Sequence, residues 1–195
     1  MRSGRLPSGR CLALALAVSG ASMSPWLDAR VAAQVPPPPV AACASAPLPC
    51  AQSTGKLALD LAARRLAWKW SARGVVDIRD LSHPTINTGY DLCLYDASGV
   101  LVMATGVPPA GVCNGKACWR ARPWGFQYRD PGALTGGISK VTLRAALGRR
   151  DRFSVKGEGD LLPLPATEPT LPLTVQLVRS DDPTACWGSS IAELR

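Results

Sequence analysis

The chain has 195 residues, with 22 lysines and arginines against 14 aspartates and glutamates, for a net charge of +8. No apolar run reaches the roughly 20 residues of a membrane-spanning helix, which excludes a helical membrane protein. A basic chain also invites a nucleic-acid reading, but that needs a recognisable binding module, and none is present.

The front of the chain is cationic, with Arg2, Arg5 and Arg10, and continues into the short apolar run from Cys11 to Val18. Val31-Ala32-Ala33 then has a small-x-small form. A basic start, a short apolar stretch and a small-residue cut site describe a secretory signal. Residues 1–33 are therefore expected to be removed before Gln34, although Asp28 and Arg30 separate the apolar run from the cut. A rival reading is a lipoprotein box, Val40-Ala41-Ala42-Cys43, with a lipid anchor on Cys43. Pro36 to Pro39 count against it, because such boxes follow their apolar run directly.

Removing residues 1–33 takes away Arg2, Arg5, Arg10, Arg30 and Asp28, leaving +5. The remaining arginines read as scattered: Arg64-Arg65, Arg120, Arg122, Arg149-Arg150, Arg152. Such a charge favours anionic polymers or membrane surfaces by long-range attraction. The plainer reading is a solubilising surface.

Gln34 to Thr54 carries four consecutive prolines plus Pro47 and Pro49, so residues 34–55 read as an extended Pro/Ala-rich linker. Residues 56–195 read as one domain. Six cysteines remain after Cys11 leaves, an even number that points to disulfides in an exported chain. Cys43 and Cys50 are both in the linker and are expected to close a small loop. Cys113 and Cys118 flank Asn114-Gly115, a hairpin turn that brings its ends within bridging distance. Cys93 and Cys186 then pair by elimination. In the loop-entropy model this long bridge is worth about 4.7 kcal/mol and the short one about 2. A zinc site lacks the Cys-x2-Cys knuckles it would need.

In chain order, Leu57, Leu59 and Leu61 recur every second residue, as do Leu66, Trp68 and Trp70. That period predicts strands, with a helix as the alternative because the segment is rich in Ala, Leu and Arg. Tyr90 to Tyr95 is a strand apolar on both faces. Asp96-Ala97-Ser98-Gly99 turns it into Val100 to Ala104, with Gly99 suited to the left-handed conformation. Short strands follow at Cys118-Trp119, at 126–128, at 140–144, at 152–156, at 173–178 and at 186–191. Even spacing with Gly and Pro punctuation predicts an all-β, antiparallel β-sandwich of jelly-roll or Ig-like type, with about eight to ten strands.

Gly89 to Val102 resembles a stretch of bacterial pre-peptidase C-terminal domains, small secreted β-sandwiches that accompany exported enzymes. A wider string is similar to an uncharacterised domain of predicted secreted bacterial surface proteins. It comprises Asp80 to Pro84, Tyr90 to Asp96, Cys113 to Trp119, Leu161 to Pro165, Val175-Gln176-Leu177 and Cys186-Trp187. The resemblance implies an extracytoplasmic β domain and supplies no catalytic residue.

Five tryptophans lie in the body. Trp68 and Trp70 share a face with Leu66 and read as core. Trp119 and Trp124 flank Arg120 and Arg122 beside the expected Cys113–Cys118 hairpin. These four are the ligand-binding candidates, with sugar stacking as the chemistry and core packing as its competitor. His83 precedes Pro84 in a loop-like stretch. Asp77, Asp80, His83 and Asp91 are the only titratable group dense enough for a hydrolase or carbohydrate-active enzyme. A calcium ion would have to draw on Asp77, Asp80, Asp91 and Asp96, whose spacing is not that of an EF-hand, so no metal is expected. Ser189-Ser190 lacks a nucleophile elbow. The expectation is a non-catalytic module, secreted, periplasmic or at the cell surface, for binding, adhesion or scaffolding. Its partner would be a polysaccharide or another envelope component, with no cofactor, no metal, no transmembrane segment and no nucleic acid. An envelope enzyme and a purely structural spacer are the alternatives.

Overall fold

Strands with one apolar face must bury it against another sheet. The structure, a computed structural model, describes residues 42–145 and 150–195, all within the compact unit Pro36–Arg195. The strands are β1 (Ala51–Gln52), β2 (Thr54–Asp60), β3 (Arg65–Arg73), β4 (Tyr90–Tyr95), β5 (Leu101–Val107), β6 (Val112–Cys113), β7 (Lys116–Ala117), β8 (Trp119–Arg122), β9 (Gly125–Arg129), β10 (Ile138–Arg144), β11 (Arg150–Glu158), β12 (Leu173–Arg179) and β13 (Cys186–Ile191). One sheet runs β2-β3-β11-β10-β9-β8 and the other β1-β13-β12-β4-β5, while β6 and β7 form a separate ribbon. The fold is an antiparallel β-sandwich, with the short parallel β1–β13 pair as its one departure among the described residues. The helical alternative for 57–70 gives way to β2 and β3, and along β3 burial alternates residue by residue.

An aromatic chain crosses the core. Trp70 stacks on Phe153 at 5.0 Å, and Phe153 meets Trp187 edge-on at 4.9 Å. Tyr90 lies beside Trp187 and Trp119, and Trp119 meets Tyr128 at 5.3 Å. The indoles of β3 also find polar partners on the opposite sheet. Trp68 Nε1 donates to Ser189 Oγ (3.0 Å) and Trp70 Nε1 to the Gly188 carbonyl (2.9 Å). Ser189 is fully buried, so its hydroxyl serves structure. Ser189→Ala leaves the Trp68 N–H unpaired in the core. The expected cost is about 1–3 kcal/mol, read by urea unfolding, and an unchanged midpoint would refute this role.

The linker expectation fails for residues 42–55. Cys43 bonds to Cys93 and Cys50 to Cys186, so neither the Cys43–Cys50 nor the Cys93–Cys186 pairing exists. Cys113–Cys118 forms as expected, around an Asn114-Gly115 turn with φ of 49° and 72°. The physical reason for the other exchange is the second apolar face of β4. Residues 42–50 lie across that face as a strap and form a satellite core of Ala42, Cys50, Cys93, Tyr95, Val178 and Cys186. Gln176 locks the strap by accepting from Leu48 N (3.0 Å) and donating to Leu48 O (2.7 Å). β1 then pairs with β13 and β2 begins the other sheet, so the domain includes 42–55. A lipid on Cys43 is incompatible with its bond to Cys93. The expected signal at 1–33 and the proline run at 36–39 lie outside the described residues. Among the described residues, no helix is long and apolar enough to cross a membrane.

Candidate functional site: a cationic sheet face

Alternation along a strand sends every second side chain to the outside of the six-stranded sheet, and register aligns these residues into rows. One row reads Lys56, Lys69, Ser154, Thr142, Gln127, Arg120. The next reads Thr54, Ser71, Arg152, Arg144, Gly125, Arg122. A third carries Lys156, Lys140 and Arg129, and the ends of the face add Arg73 with Arg150 and Arg65. Among the described residues paired across this face, only Asp60 and Glu158, both beside Arg65, bring negative charge. Neither ion pair among the described residues, Arg64–Asp160 or Arg179–Asp181, belongs to this face.

Like charges stand directly opposite one another at Lys56–Lys69, Arg73–Arg150, Arg152–Arg144, Lys156–Lys140 and Lys140–Arg129. Cross-strand pairs of this kind destabilise a sheet. A surface built only for solubility intersperses the two signs. Protection of a sheet edge also fails as an explanation, because β3, β11 and β10 are central strands. The concentration of charge therefore has no folding benefit.

The face is also uneven. Short hydroxyl side chains (Thr54, Ser71, Thr142, Ser154) leave a trough of about 470 Å³ between long cationic ones, Lys56, Lys69, Arg144, Arg150 and Arg152. At its β10 side the Arg144 guanidinium lies over the Trp124 ring at 5.6 Å. Arg144 Nε is buried and has no hydrogen-bond acceptor among the described residues.

The residues expected from sequence divide sharply. Trp119 is 2% exposed, and its Nε1 donates to the Pro108 carbonyl (2.9 Å), so it belongs to the core and presents no face for stacking. Trp124 is half-buried beside Arg144, on the rim of the cationic face. Arg120 and Arg122 are exposed on that face, with Arg122 donating to Gln127 Oε1 (3.4 Å). The proposed acidic centre does not assemble. Asp77 and Asp80 form the capping box of the 3-10 turn Ile78–Leu81, each carboxylate bonded to that turn's backbone. His83 is exposed in the following loop. Asp96 accepts from Ser98 N and Val100 N in its own hairpin. Asp91 is fully buried beneath the strap. Among the described residues no three His, Cys, Asp or Glu side chains come together to hold a metal ion, which removes the calcium set as drawn.

Asp91 is chemically unusual for a different reason. Its Oδ2 accepts from Ala42 N (3.2 Å), while Oδ1 is buried without a partner among the described residues. A Cβ on its cross-strand neighbour Gly106 would collide with the carboxylate. Burial pushes its pKa up to about 7, only partly offset by the Ala42 N–H.

The cationic face escaped the sequence reading because its residues are dispersed over six strands. The available signal was the interleaving of Lys and Arg with apolar residues at period two in 65–73 and 150–158. No family model, no curated protein and no solved structure matches the chain.

Proposed function

We propose that the domain is a non-catalytic, extracytoplasmic binding module that holds an anionic polysaccharide of the cell envelope on the outer face of its six-stranded sheet. The observation that carries this reading is the set of like-charge pairs standing opposite one another across the strands, none of them opposite an acidic residue among the described strands. Charges that oppose folding are compensated when an anionic polymer neutralises them. The three disulfides suit an oxidising compartment, which is where such a polymer would be met. On the opposite sheet the 42–50 strap covers Cys93, Tyr95, Val178 and Cys186, and the open remainder of that face around Thr174, Gln176 and Ser190 presents no comparable row of cations among the described residues.

The test uses residues 34–195 on immobilised dextran sulfate, alginate and neutral dextran. Retention on the acidic matrices alone, falling steeply with salt, is expected. Lys69→Glu combined with Arg152→Glu should elute at clearly lower salt than the parent. Equal retention on neutral dextran, or no retention on either acidic matrix, would overturn the reading. Tighter retention on DNA than on every acidic polysaccharide would move the partner to nucleic acid.

A further inference from the structure

Long-range attraction to a polymer requires only charge, yet the centre of the cationic face has shape as well. Two adjacent rows of the sheet meet there in a crossed pattern. In one, the cations Lys56 and Lys69 precede the hydroxyls Ser154 and Thr142. In the other, the hydroxyls Thr54 and Ser71 precede the cations Arg152 and Arg144. Short donors therefore floor the trough on one diagonal, and long cationic donors wall it on the other. Its volume of about 470 Å³ is that of a small-molecule pocket, well beyond what a single inorganic ion fills.

From this arrangement, which rests on the polysaccharide reading above, we infer that the trough is a discrete subsite for one sugar unit bearing a tetrahedral oxyanion ester, a phosphate or a sulfate. Three features select that chemistry. Guanidinium and ammonium groups supply charge-assisted hydrogen bonds to terminal ester oxygens. The hydroxyl floor supplies neutral donors and acceptors of the kind a sugar ring needs. The Arg144 guanidinium, part of the trough's lining, is held at the wall by the Trp124 ring at 5.6 Å, which fixes its position. A planar uronate carboxylate offers only two oxygens to donors that approach from both walls.

The subsite is tested with monomers, which cannot exploit the extended charge of the face. Glucose 6-phosphate, glucose 6-sulfate, glucuronate, glucose and inorganic phosphate are titrated into residues 34–195 and followed by amide NMR shifts. The phosphate or the sulfate ester should bind at least about tenfold more tightly than glucuronate, glucose and inorganic phosphate, the difference made by roughly one charge-assisted hydrogen bond. Which ester binds better identifies the source. Ser154→Leu fills the floor without altering charge. It should abolish monomer binding while leaving the salt needed to elute the protein from dextran sulfate nearly unchanged. Ser154→Val, a strand-favouring substitution, gives the same test if the leucine variant misfolds. Arg120→Glu with Arg122→Glu, outside the trough, should do the reverse. Inorganic phosphate or glucuronate binding as well as the esters overturns the inference, as does ester binding that survives both floor-filling variants. Polymer retention without any monomer binding also overturns it and leaves the broader reading standing. Loss of polymer retention in the parent protein refutes that broader reading instead.

Discussion

Replacing Cys50 and Cys186 together by serine is expected to lower the unfolding free energy by up to about 5 kcal/mol. This bridge spans 136 residues, and in the loop-entropy model the constraint on the unfolded chain grows with the logarithm of that span. The Cys43–Cys93 bridge, spanning 50 residues, should contribute up to about 4 kcal/mol. The Cys113–Cys118 bridge, spanning 5, should contribute about 2. The first two loops overlap, so either bridge partly protects the chain when the other is lost. A loss of 5 kcal/mol equals the whole stability of a weakly stable domain. Urea titrations followed by tryptophan fluorescence should therefore rank the double-serine variants in that order. Non-reducing peptide mapping should find the Cys43 and Cys50 segment joined to both the Cys93 and the Cys186 peptides. A Cys93–Cys186 link, or a Cys113/Cys118 variant less stable than the Cys50/Cys186 one, would refute the arrangement of the strap.

The second large effect concerns Asp91 and pH. Its carboxyl titrates at about 7 in the folded protein, against an ordinary value of 3.8, because burial disfavours the charged form. The folded state therefore binds this proton more tightly than the unfolded chain does. The sign follows from linkage: the stability involved is complete below about pH 4 and is lost as pH rises through about 7. At 1.36 kcal/mol per pKa unit the full span amounts to about 4 kcal/mol. Asp91→Asn keeps the shape and an acceptor for Ala42 N but cannot ionise. It should be more stable than the parent at pH 8 by a few kcal/mol, with the gap closing toward pH 4. Parallel stability curves for the two proteins between pH 4 and 8 would show that Asp91 does not titrate as described. Ala42 immediately precedes the disulfide-bonded Cys43, so the charge that appears above neutral pH lies directly under the strap.

Most of the strand pattern was legible in the residues. The alternation in 66–70 places Trp68 and Trp70 in the core, and the run Tyr90 to Tyr95, apolar but for Asp91, announces a strand buried on both faces. That same run held the clue to the misread linker. A strand apolar on both sides in a two-layer sandwich needs a third layer, and the nearest spare segment is the proline-rich one before it. Proline-rich composition points to an extended chain, and residues 42–50 are a covering strap that two disulfides and Gln176 fasten down. Trp119 was misplaced for a related reason. It lies among arginines in sequence, but alternation turns Arg120 and Arg122 outward and leaves the indole facing Tyr90 and Tyr128.

By itself the amino-acid order determined the all-β class, the Asn-Gly hairpin with its Cys113–Cys118 bridge, and the inward residues of the strands. These follow from local periodicity and local turn chemistry, which act over a few residues. Only the tertiary structure decided the long disulfides, the strap over β4 and the cationic face. Cysteine partners depend on which strands lie next to each other, and a charge cluster across a sheet depends on strand order and register. Arginines separated by dozens of residues become neighbours through those two properties, and neither is written in any single segment.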